Sequence, residues 1–220
     1  MPLIRKDLSV LSPSVPRSAA ETLRVGTTDE RWHAARLLGL EADTATGEAA
    51  APGEFRDGTK ILAEALTTEA DLRVREAIFT SLVRIGSRDA VNAVIPCLRG
   101  DDAALRTGAL DALRTMIEAV RPVLPALLAD PDADIRVLVC DLARELPSAD
   151  ATQMLCDVLA HETEANVCAA AVDVLADVGG AEALPMLQAT AARFGDVTFL
   201  TFAVKIAMER ILAELPVRHE

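Results

Sequence analysis

Tyrosine is absent from this 220-residue chain, and aromatic residues make up only 3% of it. The 51% apolar content is carried by alanine and leucine instead, which suits closely packed helices, because small side chains let helix axes approach without loss of helix propensity. No apolar run approaches the roughly 18 residues that a membrane span needs, so no membrane association is expected. The N-terminal stretch Met1–Asp7 lacks the apolar core of a secretory leader. The four cysteines, Cys97, Cys140, Cys156 and Cys168, show no metal-site spacing and read as reduced core thiols in a cytoplasmic protein. The histidines, His33, His161 and His219, are scattered, with no nucleophile or acid at useful spacing. G-x-G-x-x-G, a Walker loop and H-E-x-x-H are all missing, which removes each specific argument for catalysis. No cofactor is expected, and the chain reads as a non-enzyme.

One metal-like pattern is present and fails on inspection. Asp130-Pro131-Asp132-Ala133-Asp134 opens like a calcium loop, with Asp141 twelfth, but Ile135 stands where the loop needs glycine for its sharp turn. Acids at that place suit the start of a helix, where the dipole favours negative charge.

Charge is also unevenly placed. The net of −12 lies almost wholly on residues 130–182, where 12 acids face only Arg136 and Arg144. Such a surface repels phosphate backbones and argues against nucleic-acid binding. It would steer a basic protein partner and raise its association rate.

A phrase recurs about every 31 residues: an acid, two or three residues, an arginine, a helical apolar run, a turn and a second apolar run. Asp71 and Arg75 open one copy, Asp102 and Arg106 the next, Asp132 and Arg136 a third. The fourth, opened by Glu164, carries Cys168 in place of the arginine. A period of this length marks a solenoid whose units bury their apolar faces against their neighbours. Each unit reads as two antiparallel helices, because connections of 3–6 residues leave no other arrangement. Asp29–Leu40, with Thr28 as N-cap and His33 in the frame of the arginine, and Phe55–Leu66 read as a degenerate first repeat. Interior Pro96, Pro125 and Pro185 recur at similar places in the second helices and mark a bend or a first turn.

The phrase resembles the HEAT-repeat family, and more closely the bacterial HEAT-like repeats found in phycobilin lyases. Asp71, Val74, Arg75, Ala77, Leu82, Ile85, Gly86, Ala90, Val91 and Leu98 carry the resemblance, which later copies repeat. It implies an all-α, right-handed α-α superhelix of about five helical hairpins with a C-terminal capping helix. It also implies a ladder stacked between units, with Asp71, Arg75, Asp102, Arg106, Asp132 and Arg136 as rungs, broken at Cys168. The expected organisation is an extended arm over 1–17, one solenoid domain over 18–215 with an insertion at 41–53, and a short tail over 216–220.

The function expected from these readings is a scaffold or adaptor in a bacterial cytoplasm. In HEAT arrays the second helices line the concave face, and exposed positions there include Asp89, Asn92, Arg99, Arg121, Gln153, Asp157, Glu182 and Gln188. The expected partner is a protein with a basic patch. The last helix, Asp196–Leu215, is apolar around more than one face, and its Phe199 and Phe202 offer a second surface for a partner or a homodimer. The alternative is a lyase-like accessory enzyme or a chaperone acting on a cofactor-bearing protein, implied by the resemblance alone.

Overall fold

The computed structural model describes residues 18–44 and 54–214. The predicted arm, residues 45–53 of the predicted insertion and the tail 216–220 lie outside the described residues. Within them every regular element is helical, and no helix is long and apolar enough to cross a membrane. The chain divides into two compact units, Met1–Arg84 and Ile85–Glu220.

The N-terminal unit holds α1 (Ala19–Val25), α2 (Thr28–Thr44), α3 (Glu54–Thr68) and α4 (Leu72–Ile85). The cap of α2 is Thr27, one residue before the expected Thr28. The Thr27 amide and hydroxyl donate to the Glu30 carboxylate at 2.7 and 3.0 Å, and the Glu30 amide donates back to Thr27 Oγ1 at 3.4 Å. This reciprocal box fixes the start through the acid three residues on, a partner that the cap preference of a single residue does not contain. The helix then runs to Thr44, four residues past the expected end. Helices α2 and α4 touch where Ser81 Oγ donates to the Ala35 carbonyl at 2.9 Å. A Cβ on Gly39 would stand 2.5 Å from Ser81 Cβ, so the glycine is what permits that approach.

The C-terminal unit runs α5 (Arg88–Val94), α6 (Ala103–Thr115), α7 (Ile117–Val120), α8 (Leu124–Leu128), α9 (Ala133–Cys140), α10 (Ser148–His161), α11 (Ala165–Val178), α12 (Leu184–Arg193) and α13 (Thr198–Glu214). Tighter 3₁₀ segments at Ile95–Arg99, Asp141–Glu145 and Ala181–Ala183 join or extend these helices. Gly86, the residue that follows α4, has φ 57°, a left-handed conformation that glycine adopts without penalty. Pro96, Pro125 and Pro185 each lie in the first turn of a fresh helical segment, where a missing N–H costs nothing. The core is aliphatic, with Leu98, Leu113, Leu124, Leu142, Leu155, Leu159, Leu175 and Leu187 almost fully buried. At about 1.5–3 kcal/mol for each buried leucine, this row is the main force holding the hairpins together.

Candidate functional site

The repeated phrase is first a set of helix caps. Asp71, Asp102 and Asp132 each accept backbone N–H groups of the helix they open, at 2.9–3.3 Å. Arg75, Arg106 and Arg136 each reach back six residues to a carbonyl just past the end of the preceding helix: Glu69, Gly100 and Asp130. In the fourth copy Cys168 Sγ points at the corresponding carbonyl, Glu162, at 3.9 Å. The fourth residue of α2 is in the equivalent place: Arg31 reaches back five residues and donates to the Gly26 carbonyl at 2.9 Å. The degenerate first copy is therefore framed on Arg31 rather than His33.

Two of these arginines also clamp an acid at the end of the next hairpin. Arg136 binds Glu162 through two hydrogen bonds of 2.7 and 3.0 Å, and Arg31 binds Glu69 through two of 2.8 and 3.0 Å. The side chains of Arg136 and Glu162 are only 13% and 8% exposed, so the pair is largely removed from water. Burial pushes the Glu162 carboxyl upward, but the Arg136 guanidinium and the amides of Glu164 and Thr163 outweigh it and hold the group below its ordinary value. Glu69 is lowered in the same way, with Arg31 and the Asp71 amide against burial. Asp130 is lowered first by its hydrogen bonds from Arg99, then by the Asp132 amide. At the Cys168 junction the arginine comes from elsewhere in the chain. Arg193, in the last turn of α12, donates to the Leu159 carbonyl at 2.6 Å and the Ala160 carbonyl at 3.3 Å, with Cys168 Sγ 3.9 Å away.

A second row of ion pairs was not foreseen. Arg114 bonds Asp111 and Asp141; Arg144 bonds Asp141, Asp173 and Asp177; Arg210 on α13 closes the row on Asp177 at 2.8 Å. This chain links four successive layers of the C-terminal unit. Its signal stood in the sequence as Asp-x-x-Arg at 111–114 and 141–144, with Asp173 in the same frame.

The clamp between Arg136 and Glu162 forms one wall of a groove of about 730 Å³ between α8 and α10. Arg121, Gln153 and Asp157, three of the residues singled out from sequence, line it together. Its apolar floor is Pro125, Leu128, Met154 and Val158. Arg121 pairs with Asp150 across the groove. The lining holds four carboxylates, of which Asp150, Glu162 and Asp130 are paired with Arg121, Arg136 and Arg99, so the negative charge left over is that of Asp157. His161, also in the lining, brings Nδ1 within 2.9 Å of the Asp157 carbonyl. Sequence reasoning missed Asp130, Met154, Val158 and Glu162, because their contribution depends on which residues of α8 and α10 face each other.

Other predicted positions lie elsewhere. Glu182 and Gln188 are exposed but outside the groove. Asp89 and Asn92 are exposed on α5, and Arg99 is tied to Asp130 with a second contact of 3.2 Å. Phe199 and Phe202 are 52% and 64% exposed on α13. None of the four cysteines is in a disulfide, three of them are buried, and burial pushes the Cys140 thiol up to about 12, far from a reactive thiolate. No cluster of acids, histidines and cysteines suited to a metal occurs among the described residues.

Residues 120–197, which span the groove, match the family profile of HEAT repeats. No curated protein matches the chain significantly. Among solved structures, a chain from a study of microtubule plus end tracking by XMAP215, CLIP-170 and EB1 aligns with a TM-score of 0.57 and 11% identity, over 92% of this chain and 93% of that one. A designed armadillo repeat protein aligns with a TM-score of 0.38 and 16% identity, over 88% of this chain and 98% of that one. The complex of CpcE and CpcF of phycocyanin lyase from Nostoc sp. PCC7120 aligns with a TM-score of 0.30 and 19% identity, over 96% of this chain and 100% of the matched chain. At these identities the likeness concerns the fold alone. The chain is therefore an all-α protein whose residues 120–197 are similar to HEAT repeats.

Proposed function

We propose that this protein is a non-catalytic adaptor that holds a segment of another protein in the groove between α8 and α10. The observation that carries this reading is the groove's combination of apolar floor and uncancelled negative charge. Met154, Val158 and Pro125 offer contact area for an apolar side chain, and Asp157 stands beside them on the exposed side of α10. Because Arg121 and Arg136 are engaged by Asp150 and Glu162, the charge left to an incoming ligand is negative. A segment carrying a lysine or arginine next to apolar residues is complementary to it. The excess of acids over residues 130–182 would draw such a partner in over a longer range. A cytoplasmic setting agrees with four cysteines outside any disulfide, which oxidising compartments tend to pair.

Affinity capture from native lysate at low salt, followed by mass spectrometry, tests this. The wild type should retain a partner protein that the Val158→Asp/Asp157→Lys double variant loses and that Glu64→Lys, placed in the N-terminal unit, keeps. The purified partner should bind the double variant at least tenfold more weakly, a change of about 1.4 kcal/mol. Retention of the same partner by the double variant would remove the groove from the explanation.

A further inference from the structure

Helix α13 carries a second surface that the groove does not use. Its buried face is Leu200, Val204, Ala207 and Ile211, packed on α11 and α12. At 100° per residue the opposite face presents Phe202, Lys205, Glu209 and Leu212, spaced three, four and three residues apart. These side chains are open to solvent: Phe202 is 64% exposed and Leu212 52%, while Lys205 and Glu209 are 69% and 59% exposed. Phe199 and Ile206 flank the stripe and are exposed as well. The stripe sets large apolar groups at both ends of a charged centre.

The order of residues along that stripe is the informative part. It reads apolar, basic, acidic, apolar, and it is complementary to itself when reversed. A twofold axis at the level of Ala207 exchanges residue 205 with 209 and residue 202 with 212. Two copies of α13 laid antiparallel would therefore set Lys205 against the partner's Glu209, and Phe202 against the partner's Leu212, twice over. Such a contact is isologous and closes on itself. Within one chain Lys205 and Glu209 are 3.9 Å apart, so the reversed pair builds a four-charge cluster of alternating sign at the axis. Phe202 and Leu212 are ten residues, roughly 15 Å, apart along the helix, which places one apolar contact on each side of that cluster.

We infer that the outer face of α13 is a homodimer interface, formed by antiparallel pairing of this helix with a second copy of the chain. The inference is independent of the groove, which lies on α8 and α10. A stripe of one helix is small beside the roughly 800 Å² per partner that stable complexes bury. Dimerisation is accordingly reversible, with dissociation in the micromolar range.

Sedimentation velocity across micromolar concentrations tests the inference. The wild type should pass from one chain to two as concentration rises. Phe202→Asp should remain a single chain throughout. Lys205→Glu sets like charges against each other at the axis and should raise the dissociation constant at least tenfold, and the exchange Lys205→Glu/Glu209→Lys should restore it to within about threefold of the wild type. All of these positions are exposed, so circular dichroism should be unchanged in each variant. A wild type that stays a single chain at every concentration overturns the inference. So does a dimer indifferent to Phe202→Asp, or a charge exchange that fails to restore association.

Discussion

Each unit of this protein contains a cleft, and the two clefts share a plan but differ in content. Each has a solvent-facing arginine paired with an acid on a second helix: Arg24 with Glu64 in the N-terminal unit, Arg121 with Asp150 in the C-terminal one. Each also has a more buried arginine, fourth in a first helix, clamped by a glutamate: Arg31 by Glu69 and Arg136 by Glu162. The N-terminal cleft, of about 510 Å³, adds Leu23, Ile61, Ala65 and Thr68 to these pairs. The C-terminal groove is larger and adds Met154, Val158, Asp130 and Asp157. The clamps repeat because every hairpin needs its helix ends tied. On the proposed function, the residues that would choose a ligand are those that do not repeat, Met154, Asp157 and Val158 of the C-terminal groove.

Three substitutions would break or sharpen that comparison. The largest effect belongs to Arg136→Ala, which removes the guanidinium from Glu162 and from the Asp130 carbonyl. Denaturant unfolding should show a loss of roughly 3 kcal/mol at neutral pH, the low end for breaking a buried pair. Glu162 is lowered from an ordinary value of 4.5 in the folded protein. Its stabilising contribution is thus fully present above pH 4.5 and is lost as pH falls through the folded value. The variant lacks that contribution, so the gap between the two proteins should narrow below pH 4.5. A gap that widens there would mean that the clamp is not the source.

Arg193→Ala comes next, with a loss of about 1 kcal/mol, because the Leu159 and Ala160 carbonyls at the end of α10 lose a charged donor. Hydrogen exchange should show the last turn of α10 opening more readily, and unchanged protection there would show that Cys168 needs no substitute for the missing arginine. Arg24→Ala should have the smallest effect, within about 0.5 kcal/mol, because Arg24 and Glu64 are 66% and 50% exposed. A larger loss would show that the outer pair of the N-terminal cleft is also structural.

Much of the fold was legible from period alone. Apolar spacing of three and four gave the helices to within a few residues, and the prolines marked where second helices restart. The start of α2 was misplaced by one because its box depends on Glu30, and the first copy was framed on His33 because the longer connection hid the equivalence of Arg31. Part of the site was legible too, since exposure on second helices led to Arg121, Gln153 and Asp157. That Glu182 and Gln188 lie outside the groove follows from the facing of α8 and α10, which no single helix encodes.

By itself the sequence determined the helical repeat, its caps and the placing of acidic charge, because each depends on neighbours within one turn or one period. Only the tertiary structure decided which charges meet. Arg136 finds Glu162, Arg193 stands in for an arginine missing from another helix, and Arg114, Arg144 and Arg210 join one continuous row of acids. Ion pairs and grooves form between groups far apart in sequence, and their partners are set by how the hairpins stack. The physical reason is range: caps and helical faces are fixed within a few residues, whereas a binding surface exists only after packing has brought separate helices side by side.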